Sequence, residues 1–326
     1  MTNRFVPVIH GAALDRPDEV DTIATAEAVC ESLRRLSYKS EVIALAPDLA
    51  ALGQLASRQP HIVFNLVEAL DGKATGALHA LELIEKLQLP CSGASLKAYA
   101  ASNSKIDTKE RLARHGLPTP IFWQANELVP PDATVIIKSI DEHGSLGMDQ
   151  GSVVEGAQAA GEIACREAEF GCHFFAEDYI EGREFNVSVI EGSHGPVVLP
   201  LAEIDFSALP PDRHAIVDFS AKWDPDDMAY QATPRRFGVE KAEPHLARQL
   251  NTLTLASWHA FGLTGYARVD FRVDAAGQPY VLEVNANPCL APDAGFSAAA
   301  NTAGYIYDEI IAAIVDAAVR HNRQAA

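Results

Sequence analysis

The chain changes its hydrophobic period several times, and each change predicts an element. From Ala267 to Val273, Arg268, Asp270 and Arg272 alternate with Val269, Phe271 and Val273, the period of two expected of a half-buried strand. Asp274 to Pro279 supplies turn residues, and Tyr280 to Asn285 returns as an antiparallel strand on which Glu283 and Asn285 point the same way. Nearer the start, Phe5 to Ile9 is an apolar run. From Asp21 the spacing of Ile23, Ala26, Val29, Leu33 and Leu36 predicts a helix. Glu41 to Leu45 and His61 to Leu66 read as buried strands separated by a helical stretch, Leu49 to Ala56, and Gly76 to Leu87 reads as a further helix. Alternating strand and helix predicts an α/β lobe with a parallel sheet, whose ligand positions lie beyond the carboxyl ends of the strands, where Asn65, Glu68 and Asp71 fall. The Ala-rich segments around Gly156 to Gly161 and Ser297 to Ala303 read as surface helices.

The hairpin carries the sharpest chemistry. Asp270, Glu283 and Asn285 offer oxygen ligands on neighbouring strands, which suits Mg²⁺ held together with a nucleotide and leaves positions for water and phosphate. A surface hairpin with solvated charges is the bland alternative. Lys138 ends the β-branched run Val135-Ile136-Ile137 beside Gly144, Ser145 and Gly147, where small residues let the backbone approach an anion and a hydroxyl adds a donor. The sequence contains no G-x-x-x-x-G-K-[ST], H-E-x-x-H or G-x-S-x-G, so P-loop, zinc-protease and α/β-hydrolase chemistries are not indicated.

Composition narrows the class. At 326 residues and 48% hydrophobic content the chain can fill substantial cores. Its net charge of −18 argues against general nucleic-acid binding. The five cysteines, Cys30, Cys91, Cys165, Cys172 and Cys289, form no C-x-x-C pair and fit reduced thiols. With neither a signal-like N-terminus nor an apolar run of about 18 residues, no membrane association is expected and the expected location is cytoplasmic.

Taken in order, several segments resemble the ATP-grasp ligases, and specifically the D-alanine:D-alanine ligase-like branch. The hairpin Gly265 to Pro288 resembles the family's metal-binding end. EDYIEGREF, Glu177 to Phe185, is similar to the segment that holds adenine and ribose. VIIKSIDEHGSLGM, Val135 to Met148, is similar to the lysine strand and phosphate loop. Ser104-Lys105, Lys109 and Gly116 to Pro120 resemble the start of the central domain, and FNLVEALDG, Phe64 to Gly72, resembles the N-terminal motif. Collinearity from about residue 60 to about residue 300 makes the resemblance specific.

The resemblance implies an N-terminal α/β domain over residues 1–95, a central ATP-grasp subdomain over 96–176 and a C-terminal subdomain with the metal site over 177–326. It implies ATP and Mg²⁺, with Mn²⁺ as a substitute ion. Lys105, Lys138, Gly144, Ser145, Gly147, Asp178, Tyr179 and Ile180 would bind the nucleotide, Glu177 and Glu184 would hold its amino and ribose groups, and Lys222 would act from a closing loop. Arg268, Lys222 and Ser145 are the candidate catalytic groups, Arg268 for an oxyanion. The implied reaction joins a small-molecule carboxylate to an amine through an acyl phosphate, releasing ADP and phosphate. Homodimers are common among such ligases.

Departures from the family pattern bear on the substrate. Only Ser145 of two expected serines is present, Trp223 follows the lid lysine in place of tyrosine, Cys289 stands for a glycine, and Asp293 lies where a serine is expected to hold the acceptor carboxylate. Asn65, Glu68, Trp223, Cys289 and Asp293 are therefore candidate substrate residues. A ligase of altered amino-acid specificity is the expectation, because an ionised Asp293 would repel an acceptor carboxylate, with helix capping as the ordinary role for that residue. A true D-alanine:D-alanine ligase and a non-catalytic nucleotide-binding protein are the alternatives.

Overall fold

The computed structural model describes residues 4–12, 17–142, 144–224 and 226–325. Strands β1 (Val8–Gly11), β2 (Val42–Leu45) and β3 (Phe64–Asn65) form a parallel sheet in the order β2-β1-β3. Parallel strands need crossovers, and the helices Pro17–Arg35 and Ala50–Ser57 supply them. The first helix begins four residues before the expected Asp21. Of the expected strand His61 to Leu66 only Phe64–Asn65 is regular, but the segment bonds on both sides, to the first strand's chain through Phe64 N to Pro7 O (2.8 Å) and Leu66 N to Ile9 O (2.9 Å), and to the chain at Pro90 to Ser92 through Val63 N to Pro90 O (2.7 Å) and Ser92 N to Val63 O (2.9 Å).

The central sheet is antiparallel: β4 (Phe122–Trp123), β5 (Thr134–Ser139), β6 (Val153–Glu155) and β7 (Phe174–Asp178), in the order β4-β7-β5-β6. The helix Gly156–Phe170 covers it, burying Ala159 and Ile163 against Val135, Ile137, Phe174 and Ala176. The domain boundary expected at 176/177 falls inside β7, whose pairing with β5 extends to Asp178.

The third sheet holds β8 (Arg183–Gly192), β9 (Gly195–Val198), β10 (Ala202–Ile204), β11 (Arg235–Arg236), β12 (Tyr266–Val273) and β13 (Pro279–Asn285). Its order is β11-β10-β8-β12-β13, with β9 also paired to β8. β12 lies between β8 and β13, so both of its edges are paired, and side chains on both of its faces are buried, Asp270 and Arg272 on one and Val269 and Phe271 on the other. The alternation predicted the strand correctly but not its burial. Gly295–Thr302, expected at the surface, buries Phe296, Ser297, Ala299 and Ala300 in a core shared by the first helix and the C-terminal helix Tyr307–Ala325. Ser32 and Arg35 clamp that last helix through Asp308 (2.6 and 2.7 Å). Among the described residues no helix is long and apolar enough to cross a membrane.

Candidate active site

A cleft lies between the central sheet and the third sheet, lined from both. One wall is the β12–β13 hairpin, where Asp270 and Glu283 are directly opposed. A register shift follows: Phe271 pairs with Val281, leaving Leu282 as an extra residue that bends the strand beside the acids. Burial pushes the Asp270 carboxyl up to about 6; Arg268 pulls against that shift and Glu283 adds to it. Arg268 grips both Asp270 oxygens at 2.7 Å and lies 3.8 Å from Glu283, while Asn186 donates to Asp270 at 2.9 Å. Burial works against the Arg268 charge, but Asp270 outweighs it and holds the guanidinium pKa above its ordinary value.

Asn285 is opposite Arg268, as the alternation requires. Its Oδ1 accepts from Asn287 N at 2.9 Å in the turn that ends β13, and the residue lines a second, smaller cavity with Glu68, Tyr99 and Asn103. Asp270 and Glu283 thus line one space and Asn285 another. Two carboxylates and a carboxamide form a hard donor set suited to Mg²⁺, and a buried carboxyl with a raised pKa is the kind of group a cation would ionise.

Facing the acids are Lys105, Lys138 and Lys222. Lys105 opens the helix Lys105–Arg114, whose cap is Ser104 (Oγ accepting from Asp107 N at 3.3 Å), and its ammonium donates to Glu142 O at 2.6 Å. Lys222 lies on the short helix Phe219–Trp223, capped by Asp218. Burial lowers the pKa of both lysines, with Glu283 opposing the shift in each case. Lys138 projects from β5 onto Glu177, and Lys109 holds the other oxygen of that carboxylate. Glu177 was expected to hold a ligand amino group. Each of its oxygens meets a lysine and it is 1% exposed, while the residue still lines the cleft.

The glycine loop and the lid are joined. Ser145 Oγ donates to Val217 O at 3.0 Å, Phe219 N to Met148 O at 2.9 Å, and Trp223 Nε1 to Gly144 O at 2.9 Å. Gly147 has φ +64°, and a Cβ there would lie 2.8 Å from Phe174 Cζ, so glycine is required. Arg166, buried on Gly156–Phe170, anchors the loop through Gly147 O and Asp149 Oδ1. At the far end Asp178, Tyr179 and Ile180 form the crossing between sheets, with Asp178 N bonded to Ile121 O (2.8 Å) and Tyr179 N to Thr134 O (3.0 Å). Glu184 pairs with Arg272 at 3.2 Å and lines the cleft.

The remaining candidates divide. Glu68 lines the smaller cavity. Asn65 is turned into its own loop, its Oδ1 accepting from Val67 N at 3.0 Å. Cys289 donates its thiol to Asp21 Oδ2 at 3.3 Å, and burial, then Glu68 and Asp21, push that thiol up to about 12. Asp293 is exposed and caps no helix: the cap of Gly295–Thr302 is Ala294, without a side-chain bond.

A family description, D-ala D-ala ligase C-terminus, matches residues 127–316. A D-alanine–D-alanine ligase of Methylococcus capsulatus is 31% identical over 316 residues, covering 93% of this chain and 92% of the relative. The chain belongs to the D-alanine–D-alanine ligase family. An uncharacterised protein of Sinorhizobium fredii is 30% identical over 81% of this chain and 76% of its own. A D-alanine–D-alanine ligase structure from Bacillus anthracis, complexed with ATP, superposes with a TM-score of 0.75 at 22% identity, over 98% of this chain and 99% of that one. The fold is therefore ATP-grasp, and the protein is an ATP-dependent carboxylate–amine ligase that uses Mg²⁺ and releases ADP and phosphate. In this ligase Lys109, Arg166 and Asp21 stand in or against the site yet escaped sequence reading. Lys109 was noted only as part of a motif, and no spacing rule marks the other two.

Proposed function

We propose that the chain is a D-alanine–D-alanine ligase, joining the carboxylate of one D-alanine to the amine of a second. The observation that carries the reading is a single cleft in which the opposed Asp270–Glu283 pair faces three lysines, in a chain similar over 93% of its length to a ligase of that name. Asp270, Glu283 and Asn285 would hold Mg²⁺, which neutralises phosphate charge when bound. Lys105, Lys138 and Lys222 balance the remaining negative charge of ATP, the co-substrate, with the backbone of Asp178 to Ile180 at its base edge and Glu184 at its ribose. A carboxylate is a poor electrophile. Phosphorylating it gives an acyl phosphate that the second amine attacks, and Arg268 is positioned to stabilise the oxyanion that forms. The Trp223–Gly144 and Ser145–Val217 bonds keep the loops together over the cleft and exclude water from the acyl phosphate.

The expected rejection of D-alanine rested on Asp293 repelling an acceptor carboxylate. Its side chain is exposed, and Arg235, bonded to the Asp293 carbonyl at 3.4 Å, brings a cation beside it. The repulsion is thus screened and offset. The three-sheet arrangement also supports the domain reading, with the boundary moved beyond β7. An amino-acid pair screen with ATP and Mg²⁺ tests the proposal. D-alanine alone yields D-alanyl-D-alanine and one ADP per dipeptide; ADP release with another pair and none with D-alanine refutes the substrate.

A further inference from the structure

Lys109 is the most deeply enclosed cation of the site and has no role in the reaction described above. It lies one turn along the helix from Lys105, is 0% exposed and does not line the cleft. Its ammonium meets one Glu177 oxygen and donates to Thr119 Oγ1 at 3.3 Å. Thr119 donates in turn to Val281 O at 2.8 Å, two residues before Glu283 on β13. The second Glu177 oxygen takes Lys138, which is 17% exposed and reaches the cleft. One carboxylate is thus shared by two ammonium groups, and the chain of contacts runs from the acid-bearing hairpin to the strand that carries Lys138.

We infer that Lys109 is a positioning residue that neutralises Glu177 from behind, so that Glu177 fixes Lys138 in place while the net positive charge of the triad remains available to an anionic ligand in the cleft. The charge count decides between this and plain structural pairing. Lys109, Glu177 and Lys138 together carry +1. Without Lys109, Glu177 cancels Lys138 and the cleft loses a full positive charge where phosphates would lie. Without both Lys109 and Glu177, Lys138 alone restores +1. A structural role predicts that the two losses accumulate; the charge-balancing role predicts that the second repairs the first. The inference rests on the nucleotide reading of the cleft given under Proposed function.

The test is calorimetric titration of the full-length protein with MgADP, for wild type, Lys109→Met, Glu177→Gln and the double variant, each checked for folding by circular dichroism. Lys109→Met should weaken MgADP about tenfold or more. Glu177→Gln should bind at least as tightly as wild type, since it leaves two cations and retains a carbonyl for Lys138. The double variant should return to within about threefold of wild type. Wild-type affinity in Lys109→Met, weakened binding in Glu177→Gln, or a folded double variant that binds no better than Lys109→Met each overturns the inference. Should Lys109→Met fail to fold, the Glu177→Gln and double-variant arms decide alone. A wild type that binds no MgADP refutes the nucleotide reading itself and is thereby distinguished from failure of the inference.

Discussion

Replacing Trp223 by phenylalanine removes one bond of the closed lid and little else. The indole Nε1 donates to Gly144 O at 2.9 Å, and the ring lies 3.5 Å from where a Cβ on Gly144 would stand. Phenylalanine keeps most of that apolar cover. The lid and the glycine loop retain two further bonds, Ser145 to Val217 at 3.0 Å and Phe219 to Met148 at 2.9 Å. A net hydrogen bond is worth about 0.5–1.5 kcal/mol, and the freed carbonyl sits at a partly exposed loop where water can reach it, so the lower half of that range applies. The closed-to-open ratio then falls about 2- to 5-fold, and by no more than about 13-fold at the upper limit. KM for ATP should rise by that factor. Water entering an open site hydrolyses acyl phosphate, so the ratio of ADP to ligated product should climb above one. Coupled assays for ADP beside product quantitation read both. An unchanged KM together with strict one-to-one coupling refutes the lid account.

Three other outcomes follow from the structure. Glu283→Gln removes one of the two opposed carboxylates and should cut ADP formation roughly 10²-fold or more while leaving the circular dichroism spectrum unchanged; Mg²⁺-dependent turnover at the wild-type rate counts against the metal assignment. Gly147→Ala imposes a side chain at φ +64° against Phe174 and should lower stability by at least about 1–2 kcal/mol in urea melts, with KM for ATP raised; a neutral result would mean that the loop is not held as described. Asp308 has its carboxyl held below the usual range, chiefly by its bonds to Arg35 and Ser32. An acid depressed on folding contributes stability that is present above its unfolded pKa near 3.9 and lost as pH falls through the folded value. Asp308→Asn should therefore lower Tm at pH 7 and converge with wild type as pH falls through the folded value, whereas a deficit that does not shrink on acidification removes the ion-pair explanation.

Much of the site was legible because strand alternation is local. Asp270 and Glu283 could be set opposite one another from the period and the turn alone, and Lys138 could be placed at the end of an apolar strand. What escaped depends on long-range partners. The two lysine partners of Glu177, Lys109 and Lys138, come from other elements, and Lys109 has the spacing of any helix lysine. The half-buried reading of β12 failed because alternation reports the chemistry of a face, not which other part of the chain packs over it. Asn285 kept its predicted side of the strand, yet the turn bond to Asn287 draws its carboxamide toward the smaller cavity. Asp293 was read as a free charge because Arg235, 58 positions away, carries no local signal. In the N-terminal lobe, the bridge from Val63 to Cys91 beside β3 could come only from tertiary pairing.

The most direct measurement supplies D-alanine labelled with ¹⁸O in its carboxylate, together with ATP and Mg²⁺, and weighs the released phosphate. A ligase proceeding through an acyl phosphate places one label in each phosphate, in step with one ADP and one D-alanyl-D-alanine. Unlabelled phosphate during dipeptide formation, or AMP with pyrophosphate in place of ADP, contradicts the account.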